Sequence, residues 1–346
     1  MPITQRQIAD RLGISTTTIS FVLNGQAEQN KIAPETVERV RTAAQEMGYR
    51  ASYHARVLSG GKCSTLGLAL ESASVLTDRL WGPIAAGISE AAQKERYELL
   101  LISPHGAEHA VNRGVQYLQE KRLDSLLCIG NVDTTGVTDP DLPLVIIQGA
   151  SQPLQFPSVS LDATPGIHEA VKHLAQLGHR SILRIGLSRV GQEMTPERSV
   201  AFRRAVKAAD VKGSECTIPV KRPYSPHLEV HIAEYREGLQ RALQLEPGMT
   251  AIMCFNDTMS LALYSVLAER GLKIPQDISV IGFDDLHAGH AIPALTTISH
   301  MLAELGAAAV DLAMIKSNKR TIPMTKSIAA RLIVRQSTGP ARRRTR

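Results

Sequence analysis

Through the first 48 residues, apolar positions recur at helical spacing in three short blocks: Ile8 and Leu12; Ile19, Val22 and Leu23; then Val37, Val40, Ala44 and Met47. That period predicts three short helices, each with one apolar stripe. Their ends are marked as well. Thr4 with Gln7 forms a capping-box pattern, Ser15 can cap the second helix, Pro34 suits a first helical position and Gly48 can end the third. Ala33 occupies the third capping position without an oxygen to offer, a weak spot. From about residue 65 the pattern changes to short apolar runs, among them 65–70, 98–103, 125–129, 144–148, 181–186, 251–255 and 279–283. Amphipathic stretches lie between them at 83–97, 108–121, 166–177, 197–209, 257–270 and 301–316. Continuous apolar strands joined by crossover helices predict parallel sheets covered on both faces. Nine or so strands are many for one small sheet, so the fold class is α/β in two lobes, split near Leu161, behind an all-α head.

Composition narrows the picture. A chain of 346 residues with 43% hydrophobic and 21% charged residues is globular and long enough for several domains. Its net charge of +6 permits a polyanionic partner without establishing one. The basic run Arg342, Arg343, Arg344 and Arg346 suits a solvated tail. The start of the chain enters an amphipathic pattern instead of a signal-peptide core, and no apolar stretch reaches membrane-span length, so a cytoplasmic protein without membrane contact is expected. Cys63, Cys128, Cys216 and Cys254 are isolated and fit reduced, buried thiols. Neither a GxGxxG after a strand, a GxxxxGK[ST] loop nor a GxSxG elbow is present, and no enzyme is expected. His168-Glu169 with His173 is one residue too long for a zinc motif: positions five apart on a helix lie about 140° apart. His105 and His109 have a workable spacing but no third ligand nearby, so neither a metal nor a cofactor is expected.

Within residues 5–20 the residue types carry steric jobs. Ala9 is small enough for two helices to cross closely, Gly13 permits a left-handed turn, and Ile14 fills the space beneath it. The next helix is then presented outward with Thr16 and Thr17 in its first turn, where hydroxyls and methyls suit phosphate oxygens and base edges. A plain helical bundle with solvated threonines is the competing reading.

These residues resemble the LacI/GalR transcriptional regulators, whose head runs T-x-x-D-V-A-x-x-A-G-V-S-x-x-T-V-S-x-V-L-N-G. The resemblance spans Ile3 to Gly25, continues through Pro34 to Val40, Ala43-Ala44, Gly48-Tyr49 and Ala55 to Leu58, and reaches Leu332 to Thr338. It implies a helix-turn-helix domain at 1–50, a hinge at 51–61, a two-lobed, periplasmic-binding-protein-like body at 62–338 and a basic tail at 339–346. The N-lobe would take about 62–160 and 293–320, the C-lobe about 161–292 and 321–338. It also implies pseudo-palindromic operator DNA as partner, contacted by Thr4, Ser15, Thr16, Thr17, Thr18, Phe21, Asn24 and Tyr49 and by the hinge residues Ser52, Ala55, Arg56 and Leu58. Phe21 replaces the usual polar or basic residue, which removes a base hydrogen bond and leaves a thymine methyl as its natural contact. Leu58 stands where the family wedges a leucine into the minor groove, with linker packing as the alternative. Ala51-Ser52 replaces the usual Pro-Asn before that helix, so Ser52 can still cap while the approach is less rigid.

In the body the same resemblance implies a small-molecule effector, a sugar or derivative, bound between the lobes by Asp78, Trp81, Asp162, Arg198, Asn256, Asp257 and Asp284. Four of them have a structural alternative: core packing for Trp81, a surface ion pair for Arg198, and helix capping for Asn256 and Asp257, which can coexist with ligand contact. Asp162 is followed by Ala163 where the family has Asn, and Asp78-Arg79 replaces Asn-Pro, which changes the polarity of that corner. A homodimer is expected, because the segment after Val334 is too short and basic for a tetramerising heptad helix. A regulator governed by a protein co-regulator, or a plain sugar-binding protein lacking a DNA role, are the alternatives.

Overall fold

The computed structural model describes residues 3–49, 62–70, 80–104, 109–129, 134, 136–148, 156–220, 228–246, 248–286, 288–317 and 325–342. The head consists of α1 (Gln5–Leu12), α2 (Thr16–Leu23) and α3 (Pro34–Glu46). Its ends form as their residues dictate. Thr4 and Gln7 close a reciprocal capping box, and Gly13 ends α1 in the left-handed region at φ 67°. The Ser15 Oγ accepts from the Thr18 amide at 3.1 Å. Ala33 makes no side-chain cap, and α3 starts on Pro34 alone. Ile8, Ala9, Ile19, Val22, Val40, Ala43 and Ala44 bury together, with Ile14 and Tyr49 packed at the margin.

The body holds two sheets. One has β1 (Thr65–Ala69), β2 (Glu98–Ile102), β3 (Ser125–Ile129), β4 (Leu144–Gln148), β5 (Ser158–Asp162) and β12 (Thr325–Ala329), all parallel in the order β12-β5-β4-β3-β1-β2. The helices α4 (Trp81–Lys94), α5 (Ala110–Gln119) and α10 (Leu302–Ser317) belong to this N-lobe. Where α4 crosses α10 the backbones touch: a Cβ on Gly87 would lie 2.2 Å from the Ala303 carbonyl oxygen, and one on Gly306 2.3 Å from that of Ile84. Only glycine allows that approach.

The C-lobe sheet contains β6 (Ser181–Arg189), β7 (Gln192–Glu193), β8 (Lys212–Pro219), β9 (Ala251–Cys254), β10 (Ser279–Phe283), β11 (Thr296–Ser299) and β13 (Arg331–Ile333). Its path is β13-β11-β10-β9-β6-β7, with β8 also on β6. The hairpin strand β7 and the returning β13 are antiparallel to their neighbours, and the remaining pairs are parallel. Its helices are α6 (Thr164–Gln176), α7 (Pro196–Ala208), α8 (Leu228–Leu245) and α9 (Asp257–Glu269).

The chain crosses between sheets after Asp162, at His300-Met301 and at Ala330, whose amide donates to the Asp162 carbonyl at 2.8 Å. This corrects two of the expected lobe boundaries. Strand β11 lies within 293–320 yet pairs with β10 in the C-lobe, and β12 lies within 321–338 yet pairs with β5 in the N-lobe. Both strands lack an apolar run. Thr296 and Thr297 are fully buried on hydrogen bonds in place of hydrocarbon, while β12 alternates at a half-exposed edge.

Candidate DNA-reading surface and effector cleft

On the head, Thr16 and Thr17 stand exposed in the first turn of α2 and Phe21 is half-buried one turn on. The neighbouring hydroxyls have local work. Thr18 Oγ1 lies 2.8 Å from Ser15 Oγ, Thr4 Oγ1 accepts from the Gln7 amide at 3.3 Å, and Asn24 Nδ2 donates to Ser20 Oγ at 3.1 Å. Tyr49 is half-buried beside the head core. Ser52, Ala55, Arg56 and Leu58, together with Asp78, lie outside the described residues.

The second site forms where three adjacent parallel strands end. After β9 come Phe255 and Asn256; after β10, Asp284; after β11, His300; and the first turn of α7 brings Arg198 over them. Open α/β sheets place ligand clefts at such ends because successive loops there splay apart. Arg198 Nη1 donates to the Phe255 carbonyl at 3.1 Å and Nη2 faces His300 Nε2 at 3.1 Å. The guanidinium carbon lies 3.8 Å from the centroid of the Phe283 ring and 5.2 Å from that of Phe255. His300 in turn tilts against Phe283, their ring centroids 4.7 Å apart, and its Nε2 is 3.5 Å from Asp284 Oδ1. Burial pulls the Arg198 pKa down, opposed by the nearby Asp284 charge. Burial, then the Arg198 charge, holds His300 neutral well below the usual imidazole range.

Asp284 and Asp285 both adopt left-handed backbone, at φ 97° and 58°. Non-glycine residues in that region are held there by their surroundings. The Asp284 amide donates to the Ile298 carbonyl at 2.8 Å, and Asp285 pairs with Arg335 at 2.8 Å. The strained pair thus leaves β10 anchored to β11 on one side and to the returning chain on the other.

The two residues expected at the end of β9 divide. Asn256 Oδ1 accepts from the Met259 amide at 2.8 Å, so it caps α9 at the cleft rim. Asp257 turns inward. It is 3% exposed, its Oδ1 accepts from Thr297 Oγ1 at 2.6 Å and its Oδ2 from the Leu286 amide at 2.8 Å. Gly282 makes room for it, since a Cβ there would lie 2.4 Å from Asp257 Oδ1. Leu286, held by this bond, packs its side chain against the N-lobe core. In the N-lobe, Trp81 opens α4 half-buried against that same core, and Asp162 sits at the first crossing with Oδ1 accepting from the Thr164 amide at 2.9 Å.

Beneath Arg198 lies a charged cluster. Arg184, buried in mid-strand, pairs with Glu193 at 2.8 Å and Glu215 at 3.1 Å and donates to Ser199 Oγ at 2.7 Å; Arg203 closes on Glu215 at 2.8 Å. Ser199 follows Arg198 on α7, so this cluster ties the start of that helix to β6, β7 and β8. Elsewhere, Glu169 Oε2 accepts from the Leu332 amide at 2.8 Å and His173 Nε2 lies 2.9 Å from Thr338 Oγ1, which commits both to fastening the C-terminal segment. The Cys254 thiol is pushed up to about 12 by burial, as an inert core thiol should be. Among the described residues, no helix is long and apolar enough to cross a membrane.

A helix-turn-helix head followed by two α/β lobes, with a polar cluster at the strand ends of the second, is the architecture of a DNA-binding regulator with a ligand-binding type of body. Two family models match the chain: bacterial regulatory proteins of the lacI family over residues 4–52 and a periplasmic binding protein-like domain over residues 171–338. The chain belongs to the lacI family of transcriptional regulators. It is 28% identical over 343 residues to the HTH-type transcriptional repressor PurR of Vibrio atlanticus, covering 96% of this chain and 98% of that one. It is 29% identical over 353 residues to the HTH-type transcriptional regulator DegA of Bacillus subtilis, covering 98% and 99%. The lac repressor dimer bound to operator and the anti-inducer ONPF shares the fold, with a TM-score of 0.72 at 23% identity over 98% of this chain and 100% of that one.

Proposed function

We propose that this protein is a sequence-specific transcriptional repressor that binds a pseudo-palindromic operator as a homodimer and is controlled by a small polyhydroxylated effector, a sugar or derivative, held between its lobes. The observation that carries the effector assignment is the placing of a donor fork, Arg198, beside an acceptor carboxylate, Asp284, on the aromatic floor of Phe283. Sugar hydroxyls both donate and accept, so the fork and the carboxylate each have a use, while Phe283, itself buried beneath the guanidinium, fixes the pose of Arg198. The opposite charges offset one another, which favours a neutral ligand over an ion. Trp81 supplies an aromatic wall from the N-lobe, with Asn256 and Asp162 at the rim.

On the DNA side, Thr16, Thr17 and Phe21 read base edges in the major groove, and Thr4, Ser15, Thr18, Asn24 and Tyr49 hold the head to the backbone. Ser52, Ala55 and Arg56 form the hinge contact and Leu58 the minor-groove wedge. The repressor name of the Vibrio relative and the operator-bound dimer of the related fold support this reading. The test is selection of binding sites from random duplex DNA with the full-length protein, followed by operator affinity with and without D-ribose, D-glucose or cellobiose. The selected sites form a palindrome and at least one sugar changes the affinity by about tenfold. Failure to enrich a palindrome overturns the dimeric operator reading; indifference to every sugar overturns the effector class.

A further inference from the structure

Arg198 already has a partner inside the protein. Its Nη2 faces His300 Nε2 at 3.1 Å, and a guanidinium has only donors, so Nε2 must be the acceptor and the imidazole proton must sit on Nδ1. Nδ1 is fully buried and has no hydrogen-bond partner among the described residues. The residue as a whole is 4% exposed, so no bulk solvent relieves that donor. The ring is therefore held in a tautomer that satisfies Arg198 at the expense of its own N–H. The alternative acceptor is close: Asp284 Oδ1 stands 3.5 Å from the same Nε2, where it can take a proton but cannot give one. His300 cannot serve both neighbours as a neutral ring, because Nε2 either accepts from Arg198 or donates to Asp284. Its neutrality follows from burial and from the adjacent guanidinium charge.

We infer that His300 is an internal competitor for the effector at Arg198 and a specificity residue of the cleft: a ligand oxygen that takes the Arg198 Nη2 donor displaces the imidazole, whose proton then moves from Nδ1 to Nε2 and is donated to Asp284. The exchange is neutral overall, with one N–H lost at Nδ1 and one gained at Nε2. Its position gives it reach, since His300 follows β11 at the second crossing between the lobes and precedes Met301, whose backbone is left-handed at φ 51°. A ligand that offers Arg198 a strong acceptor gains by this displacement, and one that makes no bond to Arg198 does not. The inference rests on the cleft being the effector site, yet its first test needs no ligand.

The experiment labels the histidines of the full-length protein with 15N and reads tautomers by long-range 1H–15N correlation, with His300 assigned by the signals lost in His300→Gln. Wild type without ligand shows His300 protonated on Nδ1. Arg198→Met, which removes the donor, converts it to the Nε2–H form. An Nε2–H form in the ligand-free wild type, or no change in Arg198→Met, overturns the inference whatever the cleft binds. In a second arm D-ribose, D-glucose and cellobiose are titrated by calorimetry into wild type and into His300→Leu, with circular dichroism verifying that the variant is folded. A sugar that binds the wild type binds the folded leucine variant several-fold more tightly, because its competitor is gone; unchanged or weaker binding overturns the inference. Should that variant not fold, the displacement is read in wild type, where the bound sugar must shift His300 to Nε2–H and failure to do so is equally decisive. If no sugar binds the wild type, the sugar reading fails while the tautomer measurement still decides the role of His300.

Discussion

The head and the cleft solve the same problem, holding a few side chains in a fixed pose, by opposite means. In the head each device acts within a few residues: Thr4 with Gln7, Ser15 with Thr18 and the left-handed Gly13 between helices. In the cleft the poses come from far along the chain. Arg198 meets residues 57 and 102 positions away, and Asp257 reaches 40 positions to Thr297. Damage to the first should stay local, whereas damage to the second should spread through a lobe.

The largest effect is expected at the N-lobe helix crossing. Gly87→Val drives a side chain into the Ala303 backbone and should destabilise the body by roughly 3 kcal/mol, seen as a lower denaturation midpoint with the head's own helicity retained. Asp257→Ala should follow at about 2–3 kcal/mol, since the Thr297 hydroxyl and the Leu286 amide lose their buried acceptor. Near-wild-type stability in that variant would contradict that buried role. By contrast, Asp284→Asn and Arg198→Ala should weaken binding of the effective sugar by roughly 1–3 kcal/mol in calorimetry while leaving ligand-free operator binding close to normal. The smallest change is the local one: Ser15→Ala should cost the head about 1 kcal/mol and leave the unfolding of the body unmoved.

That contrast also explains what could be read from the residues alone. The three head helices, their caps and the missing cap at Ala33 follow from neighbours in sequence, and so do the apolar strands β1, β3, β4, β9 and β10. Arg198 and Asp284 were found through family likeness, and the structure brings them together. His300, Phe255 and Phe283 were not singled out. The signal for His300 was hidden because β11 is Thr-Thr-Ile-Ser, a strand buried on hydroxyls that satisfy Asp257 and Thr338, so its polar sequence does not resemble a core strand. The same polarity misplaced the lobe boundary before it. Asp257 is hard to read for the complementary reason: a carboxylate next to a helix start looks like a rim acceptor, whereas Gly282 makes space for it inside.

The central claim is that occupation of a cleft at Arg198 and Asp284 changes how the distant head holds DNA. Linkage makes this measurable in both directions, because a ligand that alters operator affinity by some factor must have its own affinity altered by operator by the same factor. The decisive measurement is that pair of factors for the selected operator and the effective sugar, in wild type and in Arg198→Ala. The account predicts equal factors well away from one in wild type, and a variant that binds operator normally but no longer responds to the sugar at the concentration that acts on wild type. A variant with the full sugar response would contradict it.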